Sequence, residues 1–212
     1  MAMGIEGFRF ARASGYFETN IGPQTRAAAD AVAAALGVAS AVTFAETERA
    51  RAAAFLLSPA EGAQLHRANL TCRAHDFDPV NRDRLLAGLF TPAAWLLQAQ
   101  RFRRWYFDQV LQVLQAYDVV IADATPWPAF RIENETADLN GATIAAGPNT
   151  GMLTQPLSFI GVPVLVVPVR LPGSLPAGVQ LIVAPWREEA LFRVAARLES
   201  IGVTSAPVAT SG

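Results

Sequence analysis

Three segments of the chain carry apolar residues at every third or fourth position, the spacing of an amphipathic helix. The longest is predicted from Thr91 to about Gln115. A second begins at Pro23 and ends before Gly37, and a third runs from about residue 186 to Gly202. The apolar stripe of the longest helix consists of Trp95, Ala99, Phe102, Tyr106, Val110 and Val113. Core packing is the favoured interpretation of this stripe over a ligand pocket, because every helix on a core needs one.

Short apolar runs between these helices predict strands. The run 164–171 is continuous and β-branched, which is typical of a central strand buried on both faces. The run 179–183 follows a Pro-Gly-Ser-Leu-Pro turn and should return as its hairpin partner. Shorter strands are predicted at 8–10, 38–44 and 118–122. Alternation of strands and helices predicts an α/β fold.

The remaining segments predict short helices and a loop. One helix spans 46–57, and Ser58-Pro59 should begin another that ends near Ala74. Residues 140–150 are small and predict a loop, followed by a short helix over 151–161. No linker divides the chain, so residues 1–212 are predicted to form one domain, with 205–212 as a disordered tail.

Composition narrows the classes of partner and compartment. Hydrophobic residues make up 52% and charged residues 17%, with a net charge of −1, so no basic face for nucleic acid is expected. Cys72 is the single cysteine, which excludes an intrachain disulfide and favours a cytoplasmic protein. The longest apolar run, 159–169, is interrupted by two prolines and is shorter than the roughly 20 residues that span a bilayer, so no membrane partner is expected.

Metal and phosphate sites are not expected. His66, Cys72, His75, Asp76 and Asp78 are types that bind zinc, but on a helix His66 would point away from the face shared by Cys72 and His75. All 17 basic residues are Arg, and a phosphate-binding P-loop requires Lys. The Gly-x-Gly-x-x-Gly and Gly-x-Ser-x-Gly motifs of dinucleotide-binding proteins and serine hydrolases do not occur.

Three segments, in this order, resemble amidase-signature enzymes. Residues 117–129, Tyr-Asp-Val-Val-Ile-Ala-Asp-Ala-Thr-Pro-Trp-Pro-Ala, are similar to a strand and proline-rich loop of that family. Residues 154–169 resemble its helix-to-strand segment, and 175–195 its closing hairpin and final helix. The resemblance covers roughly 8–203, and Thr154-Gln-Pro together with the segment 77–88 is similar to the biuret-type branch. It implies the C-terminal half of the amidase-signature fold: a mixed β-sheet covered by helices on both faces.

The resemblance also implies a mechanism whose parts lie elsewhere. The family uses a serine nucleophile, a second serine in a cis peptide and a lysine base, with a Gly-Ser-rich loop for the oxyanion. These belong to the half that precedes Phe8 in the alignment, and this chain has no Lys, no Ser-Ser and no Gly-Gly. Arg cannot replace the lysine because it stays charged. No catalytic residue, metal or cofactor is therefore expected in this chain.

The expected contribution of this chain is to the substrate pocket. Loops at strand ends are where open α/β sheets bind ligands. They contribute six candidate residues, namely Asp123, Thr125 and Trp127 after one strand and Thr154, Gln155 and Ser158 before another. A purely structural interpretation remains open for each, since Thr-Pro and Trp-Pro shape loops and Thr154 can cap a helix.

Two functions follow from the sequence. The first is half of an amidase-type hydrolase that cleaves a C–N bond of a small amide, urea or biuret-like substrate and is inactive alone. The alternative is a non-catalytic binding module with the same ancestry. The low charge and the bulky residues beside the stripe of the long helix predict an exposed apolar surface, covered by a second copy, a complementary N-terminal half or a small accessory subunit. Those bulky residues are Leu96, Phe107, Leu111 and Leu114.

Overall fold

The computed structural model describes residues 4–207 as alternating strands and helices. The strands are β1 (Phe10–Ala13), β2 (Ser40–Val42), β3 (Val119–Asp123), β4 (Thr136–Leu139), β5 (Ala142–Ala145), β6 (Val164–Val169) and β7 (Ala177–Ile182). The helices are α1 (Tyr16–Thr19), α2 (Pro23–Ala35), α3 (Thr47–Leu65), α4 (Arg67–Arg73), α5 (Pro79–Gly88), α6 (Ala93–Ala116), α7 (Ala146–Thr150), α8 (Gln155–Ile160) and α9 (Glu188–Ser200).

A five-stranded mixed sheet organises the core. Its order is β2-β1-β3-β7-β6, with β2, β1 and β3 parallel and with β7 antiparallel to both β3 and β6. One apolar cluster joins α2 and α9 to one face of the sheet, and a second joins α3, α6 and α8 to the other. The predicted fold class, a mixed sheet with helices on both faces, is confirmed.

The predicted central position of the 164–171 strand is wrong, because β6 is an edge of this sheet. It pairs with β7 on one side, and the part of the chain that the structure describes provides no strand on its other side. The predicted hairpin with β7 is confirmed. Apolar β-branched sequence reports how far the faces of a strand are covered, not whether both of its edges are paired. Val166, 46% exposed, shows that even one face of β6 is partly open.

The predicted helix break at Ser58-Pro59 is also wrong, because Pro59 lies inside α3. Proline in a helix interior costs a backbone hydrogen bond and strains the preceding turn. Here Pro59 is buried, and Gly88 at the end of α5 packs so closely on its carbonyl that a Cβ at that position would clash. Packing between α3 and α5 therefore outweighs the local preference for a break.

Residues 140–150, predicted as loop, form the turn of a hairpin, its second strand and a short helix. β4 and β5 pair antiparallel across Asn140-Gly141, whose φ angles of 53° and 79° are those of a tight hairpin turn. Asn-Gly between two short runs is a strong hairpin signal that the composition of small residues obscured. The hairpin forms its own two-stranded sheet beside the main one.

Other predicted elements occur with shifted ends. The three amphipathic helices are confirmed as α2, α6 and α9, whereas the predicted 38–44 strand is reduced to Ser40–Val42 and the 8–10 strand moves to Phe10–Ala13. Residues 205–207 are exposed and without regular structure, and the rest of the predicted tail, 208–212, lies outside the described residues. No helix within 4–207 is both long and apolar enough to cross a membrane.

Candidate functional site

Gln155, the first residue of α8, is held by an arginine from a distant part of the chain. Its Oε1 accepts a hydrogen bond from Arg51 Nε of α3 at 3.2 Å, and Arg51 Nη2 donates to Oδ1 of Asn149 in α7 at 2.6 Å. Because the oxygen of the Gln155 amide faces Arg51, its NH2 group points away with two donors available. Arg51 therefore fixes the direction in which Gln155 can donate.

Tyr16 lies beside the same guanidinium. Its hydroxyl donates to the Met152 carbonyl at 3.1 Å, which ties α1 to the loop before α8. Burial raises the pKa of Tyr16, and the nearby Arg51 offsets part of that rise. A broad, open depression of about 870 Å³ extends over Tyr16, Arg51 and Met152.

The hydroxyls of Thr154 and Ser158 are bonded within their own segment. Thr154 Oγ1 donates to the Gly151 carbonyl at 3.2 Å, and exposed Ser158 Oγ donates to the Thr154 carbonyl at 3.0 Å. A side-chain cap on α8 is not formed by Thr154. Ser158 and Gln155 together line a cleft of about 230 Å³, with Arg103 of α6 on its other wall.

Asp123 ends β3 and points to the opposite face of the sheet from Gln155. Its carboxyl lies 3.8 Å from Arg12 Nη2, and the same guanidinium bonds Asp30 of α2 more closely. Burial raises the pKa of Asp123 to about 7, and the Arg12 charge only partly opposes that rise. Asp123 Oδ1 is buried without a hydrogen-bond partner among residues 4–207, which agrees with a carboxyl that burial penalises.

Thr125 and Trp127 shape the proline-rich loop after β3. Thr125 Oγ1 donates to the Trp127 carbonyl at 2.7 Å, a local turn bond. The Trp127 ring packs on the core and against Phe130, with 6.4 Å between ring centres. Trp127 also lines a separate open cleft of about 550 Å³ at this end of the molecule, together with Gln24 of α2.

The structure therefore divides the six candidates. Gln155 and Ser158 share a cleft, Trp127 lines a different one, and Asp123 faces the other side of the sheet. The two candidate loops are nevertheless joined at their bases by Gln180 of β7. Its buried amide nitrogen donates to the Asp123 carbonyl at 2.7 Å and to the Leu153 carbonyl at 3.2 Å.

Gln180 and Arg51 are the functional candidates that sequence reasoning missed. Gln180 left a readable signal, since it is a polar residue in the otherwise apolar strand 177–182 and is 1% exposed. Buried amides are nearly always hydrogen-bonded, so its position predicts a structural link. Arg51 left no signal, because its partner Gln155 is 104 positions away in the sequence.

The chemistry available in this part of the molecule is recognition. Within residues 4–207 no group of three or more His, Cys, Asp or Glu side chains is arranged to hold a metal ion. The amide of Gln155, the guanidinium of Arg51 and the neighbouring carbonyls can orient a polar ligand through hydrogen bonds.

Comparison with known proteins gives a consistent result. Residues 15–192 match the amidase family model. The AtzE subunit of 1-carboxybiuret hydrolase from Pseudomonas sp. (strain ADP) is 42% identical over 206 residues, which cover 96% of this chain and 45% of that protein. A glutamyl-tRNA(Gln) amidotransferase protein from Halalkalibacterium halodurans is 33% identical over 132 residues, or 60% of this chain and 26% of that protein. The chain thus spans less than half the length of these relatives.

Solved structures give the same match. A vestigial protein complex described as revealing the origins of an s-triazine catabolic enzyme, with inhibitor bound, contains a chain that superposes with a TM-score of 0.91 at 41% identity. The match covers 95% of this chain and 44% of that one. A crystal structure of an amidase superposes with a TM-score of 0.84 at 23% identity, which supports the shared fold.

Proposed function

The chain belongs to the amidase family, and from that membership we propose that it is part of a hydrolase that cleaves a C–N bond in a small amide, urea or biuret-like substrate. The observation that carries this proposal is the 42% identity to the 1-carboxybiuret hydrolase protein over 96% of the chain. Since the match spans 45% of that protein, the activity is proposed for this chain together with a complementary half.

The role proposed for this chain is to supply pocket loops. The NH2 group of Gln155, directed by Arg51, is suited to donate to a substrate carbonyl oxygen. Ser158 lines the same cleft, and Thr154 begins the same helical turn. Asp123, Thr125 and Trp127 are proposed to act at one remove, by shaping the loop that Gln180 connects to Leu153.

The chain by itself is proposed to be inactive. Its sequence contains no Lys, no Ser-Ser pair and no Gly-Gly pair, which are the parts of the family's catalytic machinery. A serine without a base is a poor nucleophile, because its hydroxyl is almost fully protonated at neutral pH. Without oxyanion donors the largest single electrostatic contribution to catalysis is also missing.

The complementary half is proposed to form one domain with this chain across the open edge of β6. That edge offers unpaired backbone groups and the half-exposed Val166. Edge strands of this kind pair readily with another strand. The alternative partners are a second copy of the chain and a small accessory protein, and the related s-triazine structure is itself a protein complex.

The test is an ammonia-release assay on biuret, malonamide and urea. We expect no release above background from the purified chain. Release should follow co-expression with the amino-terminal half of the Pseudomonas relative. The matched control replaces the catalytic lysine of that half. Turnover by the chain alone that disappears on mutation of one of its own residues would overturn the inactivity proposal, and no turnover from a stable complex of the two halves would overturn the hydrolase proposal.

A second function, a non-catalytic binding module, is favoured by one observation. Two separate apolar clusters already cover both faces of the five-stranded sheet, so this chain closes much of its own core. Analytical ultracentrifugation at micromolar concentration distinguishes the two. A dimer, or a complex with the added half, supports the enzyme proposal. A stable monomer that binds no hydrophobic dye and ignores the added half supports the module.

A further inference from the structure

Three arginines surround the 230 Å³ cleft that Gln155 and Ser158 line. Arg103 forms part of its wall. Arg84 of α5 donates to Oγ of Ser58, another wall residue, at 3.4 Å, and Arg51 holds Gln155. The three come from α6, α5 and α3, so the tertiary structure alone brings them to one place.

These arginines lack the partners that other arginines in the molecule have. Arg9 and Arg187 pair with Asp118, and Arg104 pairs with Asp108. Among residues 4–207, by contrast, no salt bridge to Asp or Glu is formed by the three cleft arginines, Arg51, Arg84 and Arg103. Arg84 Nε is buried without an acceptor in the described residues. Half-buried charges without counter-ions create a positive potential that favours an anion.

Aromatic rings hold the guanidinium groups by their faces. Arg84 and Arg51 both lie over the ring of Phe55, at 4.8 and 5.5 Å from its centre, and Arg103 lies 5.8 Å from the ring centre of Phe159. Stacking on a ring occupies the plane of a guanidinium and leaves the N–H edge free. A free edge of two parallel N–H groups is the geometry that binds a carboxylate.

The rest of the cleft restricts the ligand further. Its volume suits a molecule smaller than a typical drug-sized ligand. Exposed Glu61 lies on the same wall, where it would repel a simple anion but accept hydrogen bonds from N–H groups. A ligand with a carboxylate at one end and amide or urea N–H groups at the other satisfies both the arginines and Glu61.

We infer that this cleft binds the carboxylate of a small amide or urea compound, so that the substrate of the proposed hydrolase is an N-acyl or carbamoyl compound that carries a free carboxylate. That such a compound is a substrate rests on the proposed function. The binding preference itself concerns only residues of this chain.

Calorimetric titration with malonamate and malonamide tests the inference, because the two ligands differ only by a carboxylate in place of a carboxamide. At low ionic strength we expect malonamate to bind the full-length chain at least about tenfold more tightly, the effect of one charge-assisted hydrogen bond. Arg103→Gln should abolish most of that preference. Arg101→Gln, which removes the same charge from the exposed side of the same helix, should leave it unchanged.

Arg84→Gln provides a second variant, and circular dichroism establishes that each variant is folded. Equal affinity for the two ligands, or an equal loss of preference in Arg101→Gln and Arg103→Gln, would overturn the inference. Failure of the hydrolase proposal is seen separately: malonamate preference without ammonia release by the complex of the two halves removes the enzyme and keeps the anion site. Release from neutral malonamide with no preference for malonamate does the reverse.

Discussion

The two ends of β3 carry an aspartate each, in opposite electrostatic situations. At the amino end, Asp118 accepts from the backbone N–H and the Nε of Arg9 at 2.9 and 3.1 Å, and Arg187 lies at 3.7 Å. At the carboxyl end, Asp123 has one cation at 3.8 Å, and that cation is shared with Asp30. One short strand thus separates a fully bonded carboxylate from one that is buried and partly unpaired.

The pKa values move in opposite directions as a result. At Asp118 burial alone would raise the pKa, but the hydrogen bonds from Arg9 and the charges of Arg9 and Arg187 outweigh it and lower the pKa. At Asp123 burial outweighs Arg12 and raises the pKa to about 7. The amino end of the strand is therefore a structural attachment, whereas the carboxyl end retains an electrostatic cost, as is common where loops form a site.

The largest effect is expected at the buried link of the carboxyl end. Gln180→Leu removes the donor to the Asp123 and Leu153 carbonyls and leaves both buried acceptors unpaired. We expect the free energy of unfolding to fall by about 2–4 kcal/mol, measured by urea denaturation. The exposed control Gln112→Leu should change it by less than about 0.5 kcal/mol. Similar losses in the two variants would show that the loops are not held by Gln180.

A pH-dependent effect is expected at Asp123. Because its pKa is raised from the ordinary 3.8 to about 7 on folding, its contribution to stability is complete below pH 3.8 and is lost as pH rises to about 7. The stability of the wild type relative to Asp123→Asn should fall by up to about 1.4 kcal/mol per pH unit in that interval and stay constant above it. Paired denaturation curves from pH 4.5 to 8.5 measure this, and a flat difference would contradict it.

The smallest effect, with the opposite sign, is expected at Asp118. Its pKa is lowered from 3.8, so its contribution is present above pH 3.8 and is lost as pH falls through the lowered value. Asp118→Asn should cost about 1 kcal/mol at pH 7, reduced by the exposure of Arg9. Asp108→Asn, which breaks an exposed pair on α6, is the control and should cost less than about 0.5 kcal/mol. Equal costs would mean that Asp118 is no better bonded than a surface residue.

Much of the fold was readable from local pattern. The helices α2, α6 and α9 are each specified by their own apolar periodicity, and α2 also by a starting proline. The β6–β7 hairpin follows from two apolar runs on either side of a turn. The Asn140-Gly141 hairpin was equally local, and missing it was an error of interpretation, since the turn signal was present.

The site was only partly readable. Gln155 and Ser158 were identified from the resemblance, and the structure places them in one cleft. Asp123 came from the same reasoning, but strand alternation turns it to the other face of the sheet. Arg51, Arg84 and Arg103 could not be found, because arginines on three helices give no sequence pattern that indicates convergence.

The sequence by itself determined the amidase relationship, the α/β class, the long helices and the absence of lysine, because each depends on residue identity or on spacing within one segment. Only the tertiary structure decided that β6 is an edge, that Pro59 stays inside α3, and that the cleft arginines meet around Gln155. These outcomes depend on which segments pack together across long separations. Their free energies come from burial and long-range contacts, which outweigh local preferences that differ by only about 1–3 kcal/mol.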